Sequence, residues 1–252
     1  NNPKIITIQH SNSNYNLLYT FNKKNEFSNN KKIQEGKYFS PSPDIYLTHG
    51  KQFNDLLSKY FAKNLIIGPI KYDHHFVTNK KKKIIKKNKK QKNILICPSI
   101  GDEDTLLNML QKSVNQKHKF IISPHPTFRH IVKRYKKVLS DLCNFSYSKQ
   151  KTTYDLLYDA DLVVCGFSSI ADEAIIAGIP ALRILDLSEP FYHDPRDKIK
   201  IISHERKLKK ILSRNNFSTF LPKDNKKIKN FFYYKLDNKA STRFWKIINK
   251  LK

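Results

Sequence analysis

Asp161-Leu162-Val163-Val164-Cys165-Gly166-Phe167-Ser168-Ser169 carries the fold decision: an apolar run of strand length stops at a glycine, and two serines follow. The next stretch, from Ser169 to Ala177, reads as a helix and closes on Gly178-Ile179-Pro180, a glycine and a proline where helices stop. A strand that turns through glycine into a helix start gathers free backbone N–H groups and hydroxyls, which can hold a phosphate. Glu173 stands one helical turn further on, where it can accept from a ribose or sugar hydroxyl. Ser169 with Asp172 three residues later also fits a capping box, in which the serine does no more than satisfy the helix.

The same alternation spreads outward from this segment. Residues 93–98 and 120–123 read as strands, 105–114 and 129–142 as amphipathic helices, 153–158 as a short helix and 181–184 as a further strand. Residues 223–252 read as one or two helices. Strands alternating with amphipathic helices predict a parallel sheet covered on both faces, with ligands beyond the carboxyl ends of the strands. That rule selects His10, His49-Gly50, residues 99–104, His125-Pro126 and residues 166–169.

A lysine-dominated run at 79–92 divides the chain. Ahead of it, 4–10, 44–48 and 64–67 read as strands and 52–61 as a helix. The expected organisation is α/β throughout: 1–78 the incomplete end of a first lobe, 79–92 a linker, and 93–252 a Rossmann-type lobe with C-terminal helices. The strand directly behind Asn1-Asn2-Pro3 carries the expectation that the chain is a fragment lacking an N-terminal portion.

The formal net charge is +27, from 48 Lys and Arg against 21 Asp and Glu, and lysine runs the whole length in company with Asn and Ile. Part of this is codon bias; the rest attracts polyanions, whether nucleic acid, anionic lipid headgroups or phosphorylated substrates. No regularly spaced aromatics, helix-turn-helix, zinc or RNA-binding signature accompanies the lysines, so no specific nucleic-acid partner is expected. The run at 79–92 reads as a solvated hinge, or in a sharper version as a contact to an anionic membrane surface. The most apolar stretch, 162–185, is interrupted by Asp172 and Glu173 and is no membrane span. Cys97, Cys143 and Cys165 are far apart in sequence, fit no metal or disulfide spacing, and point to structural thiols in a reducing cytoplasm.

Segment 161–180, with its Ser-Ser, Glu-Ala and Gly-Ile-Pro, resembles the donor-binding half of GT-B glycosyltransferases. Within that class it is similar to capsule and teichoic-acid enzymes, among them bacterial sialyltransferase-like proteins and CDP-glycerol glycerophosphotransferases. Ser123-Pro124-His125-Pro126 matches their His-Pro motif, and Leu236-Asp237-Asn238-Lys239-Ala240-Ser241-Thr242-Arg243 looks like their tail, with Asn238 where glycine is usual. Thr7-Ile8-Gln9-His10 fits the strand-end histidine of the acceptor lobe, with Ser11 in place of its glycine. The resemblance implies a GT-B-like fold and a transferase that moves a sugar or polyol phosphate from a nucleotide-activated or CDP-polyol donor to a glycan or lipid-linked acceptor in surface-polysaccharide biosynthesis. It would work in the cytoplasm, with a peripheral position on the inner membrane face as an option.

His125, Pro126, Gly166, Ser168, Ser169 and Glu173 would then bind the nucleotide and its phosphates, and His10 would be the base, with His49 its competitor. No metal or other cofactor is expected, the nucleotide being a substrate. Gly101-Asp102-Glu103-Asp104 reads as acidic residues favourable to a helix dipole. Arg183, Tyr192, His193, Asp194 and Arg196 read as surroundings of a loop at the sheet edge, where either arginine could neutralise a leaving phosphate but solvated surface arginines are commoner. The alternatives are a non-catalytic or nucleic-acid-binding basic α/β protein, and a sugar-nucleotide 2-epimerase of the same fold.

Overall fold

The computed structural model describes residues 5–9, 44–57, 63–73, 90–185, 198–223 and 225–251. In chain order these hold β1 (Ile6–Ile8), β2 (Ile45–Thr48), α1 (Lys51–Leu57), β3 (Asn64–Ile66), β4 (Asn93–Cys97), α2 (Glu103–Gln111) and β5 (Lys119–Ile122). They continue with α3 (Ile131–Leu139), β6 (Asn144–Tyr147), α4 (Thr153–Asp159), β7 (Leu162–Cys165), α5 (Ile170–Ala177) and β8 (Ala181–Ile184). The last are β9 (Lys200–Ile202), α6 (Glu205–Leu212), α7 (Asn225–Tyr233) and α8 (Ala240–Asn249). Two compact units emerge: residues 1–81, 191–193 and 226–252 form the first, and 82–190 with 194–225 the second.

In the second unit the described strands form one parallel sheet in the order β6-β5-β4-β7-β8-β9. The chain leaves β4 in one direction through β5 and β6, then returns to the other side of β4 and runs through β7, β8 and β9. This is the doubly wound order, and its topological switch point lies between β4 and β7. The central strands are apolar on both faces, as a doubly covered parallel sheet requires; Ile94, Ile96, Phe120, Ile122, Leu162 and Val164 on one face and Leu95 and Val163 on the other are all 0% exposed. On one face α2 packs against α3 and α6. Right-handed crossovers place α4 and α5 on the other.

Local signals set the helix ends. Thr152 accepts from the Asp155 N–H while Asp155 accepts from the Thr152 N–H, a complete capping box at the start of α4. At the end of α5, Gly178 adopts φ 68°, and the Ile179 N–H reaches back to the Ala174 carbonyl at 2.8 Å. β6 and β9 were not expected as strands. Both are edge strands of three or four residues.

In the first unit the described strands form a parallel sheet, β1-β2-β3. The C-terminal helices α7 and α8 group with this unit, whereas the sequence reading attached them to the second lobe. Phe244, Ile247 and Leu251 pack against Ile45, Leu47 and Ile67. The Asp73 carboxylate accepts from the Ala240 N–H at 3.0 Å, the Ser241 N–H at 2.7 Å and the Ser241 hydroxyl at 2.6 Å, capping α8. Arg243 donates from Nε to the Ile67 carbonyl at 2.6 Å and from Nη1 to both Asp237 oxygens at 3.0 Å. Asn238, in the glycine position of the tail motif, has φ 59°. The tail motif therefore acts as a structural clamp in the first unit.

Among the described residues, no helix is long and apolar enough to cross a membrane.

Candidate functional site

The register of β5 and β7 on β4 brings distant residues to one sheet edge. Ile96 is the partner of both Ile122 and Val164. His125 lies three residues past Ile122 and Ser168 four past Val164, so both stand beyond the carboxyl ends of strands two spacings, or about 10 Å, apart. The loop after β4 lies between them, at the switch point.

The loop of residues 166–169 is held from two sides. From the loop after β4, the Asp102 carboxylate accepts from the Phe167 N–H at 2.7 Å, the Ser99 N–H at 2.9 Å and the Ser99 hydroxyl at 2.6 Å. A β-carbon on Gly166 would collide with that carboxylate, so glycine is needed here for close approach. Burial raises the Asp102 pKa above the usual carboxylate value, and the bonds from Ser99 and Phe167 pull it back in part. From β8, Arg183 donates to the Gly166 carbonyl at 2.8 Å and the Ser168 carbonyl at 3.0 Å, and pairs with Asp172 at 3.0 Å.

Two sequence expectations are corrected here. Arg183 is no solvated edge residue: it lies within β8 at 2% exposure, fixing the loop carbonyls. Asp102 is a buried hydrogen-bond acceptor, where sequence reasoning saw a charge favourable to the helix dipole; Glu103 and Asp104 do occupy the first turn of α2. Each belongs to a network closed by residues well beyond its own element, 11–17 positions away for Arg183 and 65 for Asp102, which no local pattern announces.

The capping-box alternative also fails. Ser169 occupies the N-cap of α5 without a side-chain cap bond, and Asp172 is turned to Arg183. Ser168 Oγ accepts only a long 3.4 Å bond from the Ile170 N–H. Among the described residues, the N–H groups of Ser168 and Ser169 donate to nothing. Both serines are half-buried at the N-terminus of a helix whose every residue is buried. The site thus offers two amides, two hydroxyls and the positive end of α5.

His125 is exposed and caps the 3-10 turn Pro126–Phe128; its Nδ1 is 2.7 Å from the Thr127 hydroxyl and accepts a 3.4 Å bond from the Thr127 N–H. Pro126 at the first position of the turn fixes its start. The remaining ring nitrogen, Nε2, makes no hydrogen bond among the described residues. Glu173 is 2% exposed, and its charge helps raise the pKa of the Cys97 thiol at the end of β4, behind burial and Cys165.

Beside His125, the ends of β5 and β6 enclose a cavity of about 300 Å³, lined by Ser123, Pro126, Arg129, Tyr147, Lys151 and Thr153 among others. Sequence reasoning missed it because it missed β6. The thiols of Cys97, Cys143 and Cys165 are buried and unpaired, and burial pushes Cys165 up to about 12 and Cys143 to about 11. They are poor nucleophiles, in keeping with structural thiols.

In the first unit His49 is 3% exposed; its N–H donates to the Gln9 side chain at 2.7 Å and its ring stacks on Tyr233. His10, the run at 79–89, and Tyr192, His193, Asp194 and Arg196 lie outside the described residues.

No family model and no curated protein matches the sequence. Solved structures do match. The wall teichoic acid polymerase TagF aligns at 13% identity and TM-score 0.53, over 86% of this chain and 59% of its own. A UDP-GlcNAc 2-epimerase from Neisseria meningitidis, bound to UDP-GlcNAc, aligns at 15% identity and TM-score 0.58, over 82% and 62%. S. aureus MnaA with UDP aligns at 14% identity and TM-score 0.55, over 83% and 61%.

The fold is of the GT-B type. At these identities the likeness speaks for fold alone, and the chain spans about three fifths of the length of the structures it matches.

Proposed function

We propose that this chain carries the donor-binding part of a transferase that moves a nucleotide-activated sugar or polyol phosphate to a glycan acceptor in surface-polysaccharide biosynthesis. One observation supports the reading: two neighbouring serine amides without partners among the described residues, at a helix N-terminus beside the switch point of a doubly wound sheet. In open α/β sheets that is where phosphates bind.

In this reading the donor's diphosphate lies across the edge between Ser168-Ser169 and His125. The amides, the hydroxyls and the helix dipole meet its oxygens, and His125 Nε2 donates a further bond. Charge grows on the leaving phosphate as the glycosidic or phosphoester bond breaks, and fixed donors of this kind stabilise it without a metal. Glu173 is assigned to a ribose or sugar hydroxyl. His10 takes the acceptor's proton, in a direct displacement that inverts configuration when a sugar is transferred. Asp102 and Arg183 hold the loop in the binding shape.

A second reading, a sugar-nucleotide 2-epimerase, is favoured by a likeness to the epimerase as good as that to TagF. Calorimetric titration with CDP, CMP, UDP and a DNA duplex at physiological salt tests the common core of both. Nucleotide binding with little duplex binding is expected; tight duplex binding without nucleotide binding would overturn it. Incubation with a UDP-sugar separates the two, since epimerisation needs no acceptor.

A further inference from the structure

The cavity beside His125 has no part in the donor reading, and its walls describe a ligand of their own. One wall is the turn after β5, from Ser123 to Arg129; the other runs from Tyr147, at the end of β6, to Tyr154 in α4. At about 300 Å³ the cavity stands at the small end of the range for small-molecule sites, so it fits a compact occupant.

Three cations reach it, Arg129 from the first wall and Lys149 and Lys151 from the second, and no carboxylate of the described residues lines it. Arg129 and Lys149 make no ion pair among the described residues. Lys151 meets Asp159 at 3.4 Å, an exposed pair that solvent weakens. A concave surface lined by one sign of charge draws in the other.

Hydroxyls supply the remaining polar groups. Ser123 Oγ and Thr153 Oγ1 lie 2.8 Å apart; one donates to the other, and the accepting hydroxyl keeps its own proton to give. Ser148 Oγ accepts from the Lys151 N–H at 3.2 Å and likewise keeps its proton. We propose that this cavity is a separate site for a small sugar phosphate, with Arg129, Lys149 and Lys151 on the phosphate and the hydroxyls of Ser123, Ser148 and Thr153 on the sugar.

The charge count selects a monoester. A phosphomonoester carries about −1.5 to −2 at neutral pH and answers more than one cation, whereas a phosphodiester carries a single charge. The planar fork of Arg129 suits two phosphate oxygens at once, and the lysines add point charges. The inference stands without the donor reading, because its ligand has no base and its residues are not those assigned to the nucleotide.

Calorimetric titration of the full chain tests it, with glucose 6-phosphate as the probe, glucose and inorganic phosphate as its parts, and CDP as the probe of the serine edge. Glucose 6-phosphate should bind more tightly than inorganic phosphate, and glucose should not bind detectably. The variant R129Q/K149Q/K151Q should bind glucose 6-phosphate at least about tenfold more weakly, each lost charge-assisted bond contributing. Its affinity for CDP should change far less, and S168A/S169A should show the reverse pattern. A control with the same loss of charge in the first unit, K226Q/K227Q/K235Q, should bind both probes nearly as the parent does. All six positions are exposed, and an unchanged melting temperature confirms that each variant is folded. Binding of glucose 6-phosphate without any nucleotide binding would end the donor reading and leave this inference standing. Absence of glucose 6-phosphate binding would overturn it, as would inorganic phosphate binding equally well. So would a loss of CDP affinity in the cavity variant as large as that for the sugar phosphate, which would make the cavity part of the donor site. An equal loss in the control would reduce the effect to net charge and overturn it too.

Discussion

Asp102 shows how a single side chain holds the loops of the candidate site. Its carboxylate satisfies the Ser99 and Phe167 amides at once, tying the loop after β4 to the loop after β7. Replacing it with alanine strands both, at roughly 1–3 kcal/mol each, so Asp102→Ala should lose about 2–6 kcal/mol in chemical denaturation and bind nucleotide more weakly. The serines behave oppositely. Ser169 makes no side-chain cap bond to α5 and Ser168 only the long 3.4 Å one from the Ile170 N–H, so Ser168→Ala/Ser169→Ala should melt close to the parent, short of the ~1 kcal/mol a lost cap costs. Each lost bond to a charged phosphate costs roughly 1.5–3 kcal/mol, which weakens nucleotide affinity on the order of ten- to a hundredfold per bond. Unchanged affinity in a folded double variant would remove the phosphate assignment. In sequence, the serines were legible because glycine and helix signals bracket them. Asp102 was not, because Gly166 and Phe167, which give it its role, lie more than sixty positions away.

At the scale of elements, the alternation of strands and helices was readable wherever a strand is buried on both faces and therefore uniformly apolar. β4, β5, β7 and β8 fall at or within a residue or two of their expected places. β6 and β9 are edge strands whose short, mixed sequences, Asn144-Phe145-Ser146-Tyr147 and Lys200-Ile201-Ile202, carry too little periodicity. With β6 went the cavity beside His125. The Arg183–Asp172 pair, both partners nearly fully buried, joins β8 to α5 directly behind the site loop. Breaking one side of such a pair leaves a buried charge and typically costs 3–5 kcal/mol. Arg183→Met should therefore destabilise the second unit by about that much in urea titration, and adding Asp172→Leu should recover a good part of it. A double variant no better than the single would mean that the carbonyl bonds to residues 166 and 168, and not the ion pair, dominate.

For the whole molecule, the fold class was legible and the assignment of the tail was not. α7 and α8 follow the second unit in sequence, but α8 finds its capping partner Asp73 and its packing partners Ile45, Leu47 and Ile67 more than 150 residues earlier in the chain. One source of pH-dependent stability in the second unit is His118. His118 is fully buried, with Nδ1 accepting from the Lys92 N–H at 3.4 Å and Nε2 at 2.9 Å from the Arg214 carbonyl, which makes Nε2 the protonated nitrogen of the neutral ring. Burial lowers its pKa below 6.5. The folded state thus binds this proton more weakly than the unfolded chain. The stability His118 contributes is complete above about 6.5 and is lost as pH falls through the folded value. Melting temperature should drop between pH 7.5 and 5, and His118→Gln, which can keep both hydrogen bonds without titrating, should flatten that limb.

The central claim, that nucleotide phosphates are held at the switch-point edge of the second unit, is tested most directly by hydrogen exchange over the entire chain with and without saturating CDP or UDP. Binding there should slow exchange in residues 99–103, 123–129 and 166–171, and leave α3, α6 and the first unit's sheet unchanged. Protection confined to α3 and α6, or none at concentrations where calorimetry shows binding, would contradict it.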